Sequence, residues 1–218
     1  MSGASAGDAT PGRDRQFGGR FPRADVAAQA PRWDPVTAGI VLARLARPGD
    51  IRFFTPAQEA VATALCDQLL GQAGEPLVPL VAMIDARLAE QQTDGWRYAE
   101  LPEDGQAWRD TLGYLDADAR GKFGCGFAGC AAGEQEVIIQ AVQDLGASDW
   151  HGLPASRVWS LWTRYACTAF YSHPAAWDEI GFPGPAYPRG YKNAGMGKRE
   201  PFEVADVRPA ADPARGAS

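Results

Sequence analysis

Apolar residues recur at helical spacing along most of this chain, and each run is bracketed by residues that start or stop a helix. Thr55, Pro56 and Gln58 supply an N-cap, a first-turn proline and a capping-box partner. Val61, Leu65 and Leu69 then form one apolar face, and Gly71 is a natural C-cap. Asp34 followed by Pro35 opens another helix, expected to reach about Ala46 and to stop at Pro48–Gly49. Leu77, Leu80, Val81, Ile84 and Leu88 predict a further helix, and Trp108, Leu112 and Leu115 the next. Val137, Ile138, Ala141, Val142 and Leu145 mark one more, closed by Gly146. Ser156 starts the last long helix, with Trp159, Trp162, Ala166 and Phe170 on one side. That helix ends near His173, because a residue before proline is pushed out of the α region. Period-two alternation is scarce. The pattern predicts a mainly α fold, a single helical domain over residues 31–191. Residues 1–30 are expected to be disordered or to lie along the surface, and residues 192–218 to form a flexible tail.

Phe170 to Tyr191 breaks the helical pattern. Aromatic residues, proline and glycine crowd this stretch, and both proline and glycine favour an irregular path. It reads as a long irregular arm, too apolar to hang free. It wraps either this chain's own helices or those of another subunit.

The same stretch resembles the C-terminal signature of the gluconate 2-dehydrogenase subunit 3 family. The matching elements are Phe170 and Tyr171, His173 and Pro174, Trp177, then Ile180, Gly181, Phe182 and Gly184. Ala175 and Ala176 stand where many members have a Tyr-Gly-Gly-Asn step, so the chain resembles a diverged branch. The resemblance spans Phe53 to Tyr191. It implies a small, non-catalytic accessory subunit that supports folding, stability and assembly of a large partner. That partner would be a flavoprotein of the glucose-methanol-choline type, holding FAD and oxidising a sugar, sugar acid or other alcohol. Some complexes of this kind add a cytochrome c subunit. Tyr171, His173, Trp177, Phe182, Tyr187, Arg189 and Tyr191 are the expected arm anchors, since interfaces favour aromatic and Arg anchors. Packing within the chain is the alternative for each.

Charge and motifs narrow the chemistry. A net charge of −6 argues against a broad phosphate-binding face, and Lys192, Lys198 and Arg199 form only a short cluster. No apolar run is long enough to cross a bilayer. The first residues lack the apolar core of a secretory signal, and Asp14 splits Arg13 from Arg15. A cytoplasmic location is the simpler expectation; export to the periplasm with a signal-bearing partner is the alternative.

Gly124 to Gly129 spells G-x-G-x-x-G, and Asp149 stands where a ribose-binding acid would. The charged stretch from Asp116 to Phe123 does not read as a buried strand, so a loop between helices is the expected structure. Cys66 and Cys167 read as buried thiols. Cys125 and Cys130 have neither C-x-x-C nor zinc-knuckle spacing, and a disulfide there is the minor alternative. His151 and His173 are too few for a His-rich metal site. His173 is expected to hydrogen-bond backbone at a helix end. Asp178 and Glu179 are expected to be solvated or ion-paired. No catalytic, cofactor or metal set is assigned.

Overall fold

The computed structural model describes residues 20–46, 49–72, 74, 76–193, 195 and 197–208. The protein is mainly helical, with helices α1 (Pro35–Ala43), α2 (Pro56–Leu70), α3 (Leu80–Ala89), α4 (Asp104–Phe123), α5 (Ala132–Asp144), α6 (Ala155–Ser172) and α7 (Pro174–Ile180). Short 3-10 helices cover Ala27–Arg32 and Phe127–Gly129, and β1 (Asp149–Trp150) pairs antiparallel with β2 (Leu153–Pro154). The chain divides into two compact units. A central unit spans residues 47–172, and a terminal unit joins residues 1–46 to 173–218.

In the central unit, α4 packs on α2, α5 and α6, while α3 packs on α2 and α6. Leu65, Trp108, Leu112, Leu115, Phe127, Val142, Leu161, Trp162, Tyr165 and Phe170 are fully buried. The capping box of α2 forms as its sequence predicts: Thr55 Oγ1 accepts from the Gln58 amide, and Gln58 Oε1 accepts from the Thr55 amide at 3.0 Å. Gly71 closes α2 with φ 63°. Leu77 lies outside α3. Gln72 clamps the connection instead, accepting from the Val78 amide at 2.9 Å and donating to the Val78 carbonyl at 3.1 Å.

Asp85 is 1 % exposed. Its carboxylate accepts from three successive amides, Arg52 at 2.7 Å and Phe53 and Phe54 at 2.8 Å. This fixes the strand of chain that leads into α2. Phe54 then meets Trp108 edge to face at 6.1 Å, and Trp108 meets Tyr165 at 5.8 Å.

In the terminal unit, Val26, Trp33, Val41 and Trp177 form an apolar cluster, with Ala30 and Ala38 against it. The segment expected to lie along the surface therefore reaches inward at Val26; residues 1–19 fall outside the described residues. Asp34 caps α1 as expected, accepting from Val36 and Thr37. The helix ends at Ala43 rather than Ala46. From the C-terminal side, Val207 donates to the Arg20 carbonyl at 2.9 Å, Arg20 pairs with Asp206, and Glu200 is buried.

The arm is less irregular than its composition suggests. α6 runs through Tyr171 to Ser172, and α7 occupies 174–180. The His-Pro step that ends one helix starts the next, because Pro174 suits a first helical position and His173 Nδ1 accepts from the Ala175 amide at 3.2 Å.

Asp85→Ala would orphan three amide donors at about 1–2 kcal/mol each, and is expected to destabilise the central unit by about 3–6 kcal/mol in urea unfolding followed by circular dichroism. Asp85→Asn, which keeps one acceptor oxygen, should cost less.

Candidate functional site

The terminal unit explains its own signature motif. Gly181 ends α7 with φ 71°, and a Cβ there would meet Phe21 Cδ1 at 2.5 Å. Gly184 has φ 81°, and a Cβ there would meet Trp33 Cζ2 at 2.5 Å. Both positions exclude side chains twice over, by conformation and by space. The spacing of the two glycines lets the chain lie flat on Phe21 and Trp33. Asp178 Oδ1 accepts from the Val26 amide at 2.7 Å, tying α7 to the N-terminal segment. Asp178 is thus a structural acceptor, and Glu179 is buried rather than solvated.

The expected anchors separate into two groups. Trp177 is 7 % exposed and belongs to the internal cluster, with the Arg44 guanidinium 5.9 Å from its ring centroid. His173 is buried as the cap of α7. Arg189 is largely internal: Nη1 donates to Gln29 Oε1 at 2.9 Å, and the guanidinium lies 3.8 Å from the Phe202 ring centroid. Burial lowers its pKa, and the Arg32 charge adds to that. Phe182, Tyr187 and Tyr191 are exposed in the terminal unit, and Tyr171 is exposed at the end of α6.

α1 adds to the exposed apolar surface. It carries no charged residue, and its apolar side chains point all round, so burying Val41 leaves Val36 70 % and Ile40 55 % exposed, with Leu42 and Leu45 also outward. A helix apolar on every side is normally buried. Exposed apolar surface of this kind marks interaction sites. Sequence periodicity did not single out this helix for an interface, although the run Val36–Ala43 without a charge was a visible signal.

The central unit holds a cleft of about 600 Å³ between the loop after α3, the start of α4, and Tyr165. An ionic network reaches it through Arg87, Asp104 and Tyr165. Arg87 and Arg164 both pair with Asp94, Arg164 Nη2 donates to Asp104 Oδ2 at 3.0 Å, and the Tyr165 hydroxyl donates to the same oxygen at 2.8 Å. Burial would raise the Asp94 carboxyl, but hydrogen bonds from Arg87 and Arg164 outweigh it and hold it below its ordinary value. Burial, then Asp104, raises the Tyr165 phenol. Burial likewise pushes the Cys66 thiol up to about 12.

The glycine-rich loop lacks the strand–turn–helix setting of a dinucleotide motif. The last turns of α4 precede it, where a dinucleotide fold would have a strand. Gly124 is the left-handed cap of α4. Four of the loop amides are committed: Gly124 to Arg120 O, Phe127 to Asp116 Oδ1, Gly129 to Gly126 O and Cys130 to Phe127 O. The Asp116 carboxylate lies against the loop, where a Cβ on Gly126 would meet its Oδ1 at 2.6 Å. Cys125 and Cys130 form a disulfide across this loop, the alternative their spacing left open. Among the described residues their sulfurs and Glu134 make the one group with metal-ligand proximity, and the disulfide occupies both sulfurs. The β1–β2 turn at His151–Gly152 was not anticipated. Both residues have positive φ, and His151 Nε2 lies 2.8 Å from Asp118 Oδ1 while stacking on Tyr114.

Taken together these features define a mainly helical protein whose most distinctive motif packs its own fold and whose terminal unit leaves apolar side chains uncovered. The chain belongs to the gluconate 2-dehydrogenase subunit 3 family, whose model matches residues 56–184. The match starts at the first residue of α2 and ends at Gly184. No curated protein and no solved structure matches the chain. Membership makes it a subunit of a multi-subunit dehydrogenase complex. No helix among the described residues is long and apolar enough to cross a membrane.

Alkylating the denatured, unreduced protein should label two thiols, Cys66 and Cys167, and reduction should raise the count to four by mass spectrometry. His173 gives a pH prediction. Burial lowers its pKa, the Arg44 charge acts the same way, and a hydrogen bond with the Arg44 backbone opposes them in part. The folded protein therefore holds a neutral imidazole while the unfolded chain takes up a proton at higher pH. The contribution of His173 is complete above its unfolded value of about 6.5 and is lost as pH falls through the depressed folded value. His173→Asn keeps a cap acceptor and should flatten the loss of stability of the terminal unit between about pH 6.5 and pH 5.

Proposed function

We propose that this chain is the non-catalytic accessory subunit of a flavin-dependent dehydrogenase of the glucose-methanol-choline type, acting on a sugar, sugar acid or other alcohol. The partner subunit holds FAD, and this chain supports its folding, stability and assembly. A cytochrome c subunit completes some complexes of this kind. The observation that carries the reading is the uncovered apolar surface of the terminal unit, Val36 and Ile40 on α1 with Phe182, Tyr187 and Tyr191 on the arm. Large aromatic and aliphatic side chains are left in water when their cover belongs to another molecule. The Cys125–Cys130 disulfide favours an oxidising compartment. This supports the periplasm over the cytoplasm.

A self-contained nucleotide-binding enzyme is the weaker reading, because helix α4 stands where its strand would be needed and the Asp116 carboxylate lies against the loop.

The test is to purify the tagged chain from its native host and identify what accompanies it, with a visible spectrum. A stoichiometric flavoprotein, whose yellow colour leaves with the partner, supports the reading; a colourless solitary chain overturns it and leaves a helical scaffold. Ile40→Ser combined with Phe182→Ala should weaken that association at least tenfold, the size of one or two interface anchors at about 1–2 kcal/mol each, with helix content unchanged by circular dichroism. Trp177→Ala should instead disrupt the terminal unit itself.

A further inference from the structure

The buried rings of the central unit form a connected row. Tyr165 meets Trp108 edge to face, with centroids 5.8 Å apart. Trp162 meets Trp150 at 5.5 Å, and Trp150 meets Tyr114 at 5.6 Å, again edge to face. Thr111 bridges the middle: its Oγ1 accepts from Trp162 Nε1 at 3.0 Å and lies 3.2 Å from the Trp108 carbonyl oxygen. Trp162 also stands one turn before Tyr165 on α6. The row follows α4 from Asp104 to Asp118, about 21 Å of helix.

Packing accounts for the burial of these rings, and any carbonyl would satisfy their polar tips. The two ends hold carboxylates instead. The Tyr165 hydroxyl donates to Asp104 Oδ2 at 2.8 Å, and Trp150 Nε1 donates to Asp118 Oδ2 at 2.9 Å. The middle has no such group. Trp162 Nε1 meets a hydroxyl, and Trp108 Nε1 has no acceptor among the described residues. This difference bears on one-electron chemistry. Thiols apart, indole and phenol are the side chains that lose an electron most readily. A ring that has lost one becomes a strong acid. A carboxylate beside it takes the proton and holds the electron hole there, whereas a ring without a base passes the hole on. Cations set the direction. The Arg87 and Arg164 guanidiniums lie 4.7 Å and 5.0 Å from the Tyr165 centroid, and Arg164 lies 5.1 Å from that of Trp96. Positive charge over a ring face attracts its electrons and opposes their removal. Among the described residues no guanidinium or ammonium stacks on Trp108, Trp162, Trp150 or Tyr114.

We propose that this row carries electron holes away from the cleft end, through Trp108 and Trp162, to Trp150 at the Asp118 end. The oxidant is a one-electron radical of the carbonate-radical class, which takes an electron from a cleft-side ring and leaves as the anion. Each ring then refills its neighbour until the hole rests on Trp150, whose Nε1 proton passes to Asp118. His151 Nε2 faces the other oxygen of that carboxylate at 2.8 Å. One electron from a small thiolate, which leaves as a thiyl radical, and the proton on Asp118 restore the indole. The row lies within this chain and needs no flavoprotein, so its failure and the failure of the accessory role are separate results.

The test places the oxidant at one end. A ruthenium polypyridyl photosensitiser is attached to the full-length chain carrying Gln106→Cys, an exposed position at the cleft in the first turn of α4, together with Cys167→Ser. Cys66 is buried and the other two cysteines form the disulfide, so the label has one site. The chain is flashed with a cobalt(III) ammine quencher. The expected result is a neutral indole radical in the transient absorption spectrum, with oxidised peptide at Trp150 and Tyr114 by mass spectrometry. Trp162→Phe removes the oxidisable ring but keeps an aromatic. It should at least halve oxidation at Trp150 and raise it at Trp108 and Tyr165, with circular dichroism unchanged. Asp118→Asn keeps an acceptor for Trp150 but takes no proton, and should at least halve the neutral-radical signal; it decides the matter alone where Trp162→Phe does not fold. The proposal is overturned if oxidation in the labelled parent stops at Trp96 and Tyr165, or if a folded Trp162→Phe leaves the pattern unchanged. An undiminished neutral radical in Asp118→Asn overturns it equally.

Discussion

A single buried carboxylate organises the central unit. Among the described residues the hydrogen bonds to the Asp85 carboxylate come from the amides of Arg52, Phe53 and Phe54. Charge-assisted bonds to backbone are short and strong in a dry environment. Because three successive amides converge on two oxygens, the chain can enter α2 only along one path. That path sets Phe54 on Trp108, and Phe53 against Gly105, where a Cβ would sit 3.1 Å from the ring. It also sets the face on which Arg109 stacks. The start of α2, the start of α4 and one wall of the cleft thus follow from one side chain on α3.

Helix termini were the most legible part of the sequence, because caps are local chemistry. Asp34–Pro35 and Thr55–Pro56–Gln58 act through side chains within three residues of the backbone they satisfy. His173–Pro174 obeys the same logic, yet the proline and glycine around it suggested an irregular arm. Seven residues of α7 give too short a span for apolar periodicity to register. Asp85 was hidden for the opposite reason. Its position in an apolar helix was visible, but its three partners lie more than 30 residues earlier, and no local pattern joins them. The cleft was hidden too, since its lining comes from three separate helices, the loop after α3 and the segment before α2.

The family signature has a physical reading that the motif alone withheld. Its two glycines are packing positions, and the rings that demand them, Phe21 and Trp33, lie some 150 residues earlier in the chain. Only the structure shows that the motif is half of a pair. The matched region stops at Gly184 and begins at Pro56, so the residues that receive the glycines fall outside it. A chain could therefore keep the motif and lose its function through Trp33.

The terminal unit is held by modest means. Its apolar cluster rests on Val26, Trp33, Val41 and Trp177, contributed from both ends of the chain, and α1 spends much of its apolar surface on solvent. A small core buries too little surface to offset the ordering of many residues by a wide margin. A partner that binds only the folded form adds its binding free energy to that margin. In the proposed complex, the same uncovered side chains would supply the contact that stabilises the unit. Folding of the terminal unit and docking of the proposed partner would then be linked equilibria, and the unit would be most ordered where it is assembled.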